Sequence, residues 1–122
     1  MPYIWLVVHG LVFTPTFQSD IRKARLSEGE VMEIVAAIAA DPLGGGRMAG
    51  TGGARKVRHP GRGKGKSGGY RTVHYFGGND VPVFMLALYG KGEKDNLSKA
   101  ERNALAAVLP KIADAYRKET RK

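Results

Sequence analysis

The chain has no cysteine, which excludes disulfides, thiol catalysis and cysteine-type metal sites. Its three histidines, His9, His59 and His74, are spaced too widely for a zinc pattern. Long apolar runs are also lacking. Tyr3 to Phe13 is apolar, but it is only about eleven residues long and is broken by His9 and Gly10, too short to span a bilayer. It lacks the basic leader and small-residue cleavage site of a signal peptide. The expectation is a cytoplasmic protein without a membrane partner. Acidic residues are missing from one long stretch, with no Asp or Glu between Asp41 and Asp80.

What fills that gap is basic. Arg47, Arg55, Lys56, Arg58, Arg62, Lys64, Lys66 and Arg71 all fall within it. The whole chain carries a formal net charge of +9, so its remainder is close to neutral. Charge concentrated in this way makes a local positive field whose natural partner is a polyanion. At 122 residues the chain is expected to form one domain, residues 1–122, with a single core.

Ile4 to Val8 and Leu11 to Phe13 read as one buried N-terminal strand, stopped by Thr14-Pro15. A short helix is predicted from about Thr16 to Leu26. A second opens on Ser27 and Glu30, which have capping-box spacing, and Val31, Ile34, Val35 and Ile38 give it one apolar face. Asp41-Pro42 and the glycines that follow end it, and Leu43 to Gly53 reads as loop. Arg55 to Arg58 is a short strand and His59 to Gly68 a flexible basic loop. In the next strand Tyr70, Thr72, His74 and Phe76 share one face, and Arg71, Val73 and Tyr75 the other. Gly77 to Asp80 has hairpin-turn chemistry, and Val81 to Tyr89 reads as a central strand. Ser98 and Glu101 repeat the capping box before a helix striped with Leu105, Val108, Leu109, Ile112 and Tyr116. Pro110 predicts a kink or break near Ala106. The order β-α-α-β-β-β-α implies an α+β fold, a small, mostly antiparallel sheet with helices packed against it.

Gly63 to Gly68 matches G-x-G-x-x-G by letter, and Gly65-Lys66-Ser67 resembles the end of a P-loop. Both fail on context, because a strand pattern rather than a helix follows. Phosphodiester binding fits better. Arg58, Lys64, Lys66 and Arg71 can contact nonbridging oxygens where glycines let the backbone approach. Tyr70, Tyr75, Phe76 and Tyr89 offer either stacking faces for unpaired bases or plain core. His59 and His74 are either acid–base groups or structural side chains.

Four motifs occur in order: Gly50-Thr51-Gly52-Gly53, Arg55-Lys56-Val57-Arg58, the run from Gly65 to Arg71, and Tyr89 to Ser98. Together they resemble the RelE/HigB superfamily of type II toxin–antitoxin toxins, most closely its HigB-like branch. The resemblance implies a metal-independent endoribonuclease without a cofactor, cutting mRNA on the ribosome and neutralised by a cognate antitoxin of helix-turn-helix type. In such toxins the 2′-OH attacks the adjacent phosphate, leaving a 2′,3′-cyclic phosphate and a 5′-OH, while cations stabilise the developing charge. By position it implies that Lys56, Arg58, Arg71, Tyr89 and Lys91 are catalytic. Arg55, Arg62, Lys64, Lys66 and Lys94 would then contact RNA. Gly92 and Ser98 stand where some members carry an arginine and a tyrosine, which leaves the general acid and base open. Two alternatives remain: a ParE-like inhibitor of gyrase on the same fold, and an RNA-binding module without cleavage.

Overall fold

The computed structural model describes residues 6–8, 10–60, 69–90 and 97–120. Nine elements follow one another among the described residues: β1 (Leu6–Val8), β2 (Leu11–Phe13), α1 (Pro15–Ala24), α2 (Glu28–Ala40), β3 (Gly46–Arg47), β4 (Arg55–His59), β5 (Tyr70–Phe76), β6 (Val83–Gly90) and α3 (Lys99–Thr120). They form one six-stranded sheet in the order β1-β2-β6-β5-β4-β3. Among the described residues, β2 and β6 are the only parallel pair, and the other neighbouring pairs are antiparallel. The fold is α+β, as the element order implied.

The N-terminal segment departs from expectation. It is a hairpin rather than one strand, with Val8 opposite Leu11. Gly10 makes the reversal possible with φ +80°, a conformation that side chains with a Cβ resist. Both faces of β2 are nonetheless buried: Val12 packs into one core cluster, Leu11 and Phe13 into the other.

Local caps set the helices. The Thr14 hydroxyl oxygen accepts from the Phe17 N–H (3.3 Å) and its hydroxyl donates to the Met85 carbonyl (2.8 Å), so one side chain starts α1 and ties it to β6. Pro15 occupies the first helical turn. Both expected capping boxes form. Ser27 N–H donates to Glu30 Oε1 (2.8 Å) and Glu30 N–H to Ser27 Oγ (3.1 Å), and Ser98 and Glu101 repeat the geometry.

Further expectations are corrected. The 43–53 region, read as loop, contributes the two-residue edge strand β3, which pairs with Lys56 and Arg55. A Cβ on Gly45 would run into the Lys56 carbonyl, so the approach depends on that glycine. In α3, Pro110 causes no break: the helix is continuous from Lys99 to Thr120. The bond lost to Ala106 is outweighed because Leu109 and Ala113 are buried, with Leu105 and Ile112 half-buried beside them. Val108 and Tyr116, predicted in the same stripe, are 41% and 36% exposed. The turn after β5 is also longer than a tight hairpin, since Phe76 pairs with Val83. Arg117 holds it, donating from Nε to Asp80 (2.6 Å) and from Nη2 to the Gly77 carbonyl (3.1 Å).

The sheet therefore has two covered faces. On one, Phe17, Ile34, Val35 and Ile38 of α1 and α2 pack over Leu11, Phe13, Val83, Met85 and Leu88. On the other, Leu109 of α3 packs with Val73, Phe84, Leu86, Tyr89 and Met48.

Candidate functional site

Alternation along β4 separates its cations. Lys56 and Arg58 are two residues apart and share the α3 face, while Val57 packs beneath the other helices. In register, Arg58 lies opposite Arg71, and Arg71 lies opposite Tyr89. Arg58, Arg71 and Tyr89 thus form one row across three adjacent strands. Lys56 sits one step along that face, opposite Val73.

A bulge puts Tyr89 in that row. Val73 pairs with Ala87 but His74 pairs with Met85, so Leu86 is an extra residue on β6. The side chains of Leu86 and Ala87 both turn to the α3 cluster, and Tyr89 follows them there while Leu88 goes to the other face. Without the extra residue, Tyr89 would share the face of Met85. Helix α1 supports the strand here, with the Asp20 carboxylate accepting from the Leu88 N–H at 2.9 Å.

Arg71 is the half-buried centre of the row. Its Nη1 is buried and meets no hydrogen-bond partner among the described residues. A buried cationic donor in that condition is costly, and an anionic oxygen would satisfy it. Tyr89 is 4% exposed, with its hydroxyl oxygen buried. Arg58 is exposed. The arrangement is suited to receiving a phosphate between two guanidinium groups with a phenol close by.

Arg55 is placed on the opposite face. It pairs with His74, and its Nη1 donates to the Leu43 carbonyl at 2.8 Å. It acts as a strap on the segment after α2, away from the row. Arg62, Lys64, Lys66, Lys91 and Lys94 lie outside the described residues.

The two described histidines share the Arg55 face. The His74 Nε2–H donates to the Pro42 carbonyl at 2.8 Å, which leaves Nδ1 as a buried acceptor. His59 Nε2 and Thr72 Oγ1 share a hydrogen bond of 2.9 Å. Burial lowers the pKa of both rings, and the neighbouring His74 lowers that of His59 further. For His74 the Arg55 charge adds to the lowering, while the Pro42 bond and Asp41 oppose it. The unfolded chain therefore binds protons that the native rings refuse. Stability from this source is complete above the ordinary histidine pKa of about 6.5 and falls as pH drops below it. The urea midpoint is expected to be lower at pH 5.5 than at 7.5, with a smaller drop in His59→Asn/His74→Gln. An identical midpoint at the two pH values would contradict this.

Sequence reasoning missed a second basic feature on the α3 face. A groove of about 580 Å³ opens beside Lys56 and is lined by Arg47, Lys99 and Arg102. Arg47 comes from β3 and the other two from the start of α3, so only chain folding brings them together. Among the described residues, no three His, Asp or Glu side chains assemble to hold a metal ion. No helix among them is long and apolar enough to cross a membrane. Compared with known protein families, residues 12–122 match the one described as the RelE toxin of the RelE / RelB toxin–antitoxin system.

Proposed function

The chain belongs to the RelE toxin family of toxin–antitoxin systems, and from that premise we propose that it is a ribosome-dependent mRNA endoribonuclease acting in the cytoplasm. The observation that carries this reading is the cross-strand row of Arg58, Arg71 and Tyr89, with a buried Arg71 donor that has no partner among the described residues. An antitoxin is the partner that family membership implies; a helix-turn-helix antitoxin and the HigB-like branch are the finer assignments we favour, on the four sequence motifs.

The chemistry is the one that the family resemblance implies, and the row suits it. The RNA 2′-OH attacks the adjacent phosphorus and the bond from phosphorus to the 5′ oxygen breaks, giving a 2′,3′-cyclic phosphate and a 5′-OH. Negative charge grows on the nonbridging oxygens of the phosphorane. Arg71 bridges two of them, and Arg58 and Lys56 supply further positive charge from fixed strand positions. Stabilisation is larger at Arg71 because its Nη1 is buried, where charge is screened less. The proton lost by the 2′-OH is balanced by one gained at the leaving 5′ oxygen, and Tyr89, in register with Arg71, is our candidate to relay it. No metal or cofactor enters these steps.

Expression without antitoxin is expected to stop bacterial growth, with amino-acid incorporation failing first. RNA ends mapped soon after induction should carry new 5′-OH termini within translated messages. Loss of supercoiling or replication before protein synthesis would instead favour a gyrase inhibitor. RNA binding without new termini would favour a non-catalytic module.

A further inference from the structure

Lys99 and Arg102 stand where a helix least favours cations. Ser98 caps α3: its carbonyl accepts the Arg102 N–H at 2.9 Å, and its hydroxyl accepts the Glu101 N–H at 3.1 Å. Lys99 is thus the first helical residue and Arg102 lies one turn on. The N-terminus of a helix carries partial positive charge, so both side chains oppose the macrodipole. Across the groove, Arg47 adds another cation, and Lys56 forms the side nearest the Arg58–Arg71–Tyr89 row.

The walls are built. Met48 N–H donates to the Ala54 carbonyl (2.9 Å), and the fully buried Thr51 hydroxyl donates to the Met48 carbonyl (2.7 Å) while accepting from the Ala54 N–H (3.0 Å). The 48–54 turn is therefore closed on itself, and Gly52, at φ +81°, backs onto Ala106 of α3. Arg102 is aimed by a bond from Nη1 to the Leu97 carbonyl (2.7 Å). Among the described residues, no acidic side chain lines the groove. Arg47 and Lys99 are exposed and form no ion pair among the described residues. Cations gathered at a helix start, with no compensating carboxylate among the described residues, make the groove suited to an anionic ligand.

We infer that this groove is a second phosphate subsite, which holds the backbone of single-stranded RNA next to the nucleotide being cut. The inference rests on the reading of the row as the cleavage site. Lys56 and Arg58 lie two residues apart on one strand, about 6.6 Å along it. A strand of RNA passing from the row into the groove thus meets cations at successive positions, all on one face. Holding a neighbouring phosphate would fix the scissile one against Arg71 and convert binding energy into alignment.

The test uses a fluorescein-labelled, 2′-O-methylated RNA dodecamer, which cannot be cut because its nucleophile is blocked. Binding is followed by anisotropy across a salt series with the full chain. Arg47→Glu/Lys99→Glu is expected to weaken binding about tenfold or more and to flatten the log–log salt slope by about 1.4, roughly 0.7 for each lost phosphate contact. Its thermal midpoint should match the parent, since neither side chain is buried. Should the reversal fail to fold, Arg47→Gln/Lys99→Gln is read in the same way. Unchanged affinity and slope overturn the subsite, as does a variant that loses affinity only for a poly-glutamate peptide. Because the probe is uncleavable, failure of the parent to cut RNA would count against the nuclease reading alone.

Discussion

Arg71→Ala is expected to abolish toxicity and to lower single-turnover RNA cleavage by about 10²- to 10³-fold, the usual cost of removing one preorganised transition-state donor. Arg71 occupies the central strand of the row, between Arg58 on β4 and Tyr89 on β6, and its Nη1 is buried. The loss should fall on the chemical step, because charge at the phosphate is greatest in the phosphorane. Arg71→Lys should keep much of the RNA affinity and lose far more of the cleavage, since an ammonium cannot bridge two oxygens as a guanidinium does. Neither change should unfold the domain, because a buried donor lacking an acceptor among the described residues contributes little to stability. Full toxicity in cells that express Arg71→Ala well would remove Arg71 from the site.

Arg58→Ala should lower the cleavage step by roughly ten- to a hundredfold, the value of about 1.5–3 kcal/mol for a hydrogen bond to a charged group. Arg55→Ala, three residues earlier, should leave that step unchanged and lower the urea midpoint instead. The contrast rests on strand alternation. Arg58 shares the face of Lys56, whereas Arg55 points to the helix α2 side and holds the Leu43 carbonyl. A cleavage defect in Arg55→Ala equal to that of Arg58→Ala would mean that net charge, rather than face, decides. Single-turnover rates at saturating protein separate the two cases.

Much of this was legible where the physics is local. Each capping box needs only a Ser and a Glu three residues apart, and both formed. The two faces of β5 follow from a period of two, so Arg71 and Val73 could be placed opposite Tyr70 and Phe76 without a structure. The basic segment pointed to an anionic partner through charge alone, an expectation that rests on composition. Its motifs also carried the family, which the match over residues 12–122 supports independently.

Other features depend on what a segment meets. An apolar stretch such as Leu6 to Phe13 reads alike as one strand or as two, and the choice fell to β6 lying parallel to β2. Continuity of α3 through Pro110 depended on Leu109 and Ala113 finding a buried place on the sheet.

By itself, then, the sequence determined the α+β class, the helix starts, the faces of β5 and the concentration of positive charge between Asp41 and Asp80. Those depend on spacing, capping and composition, which act over a few residues. Tertiary structure alone decided that Tyr89 joins Arg71 and that Arg47, Lys56, Lys99 and Arg102 share a groove. A bulge is defined only by the register against a neighbouring strand, where Leu86 has no partner on β5. A groove between β3, β4 and α3 is set by packing among segments far apart in the chain, and the periodicity of any one of them is silent about the others.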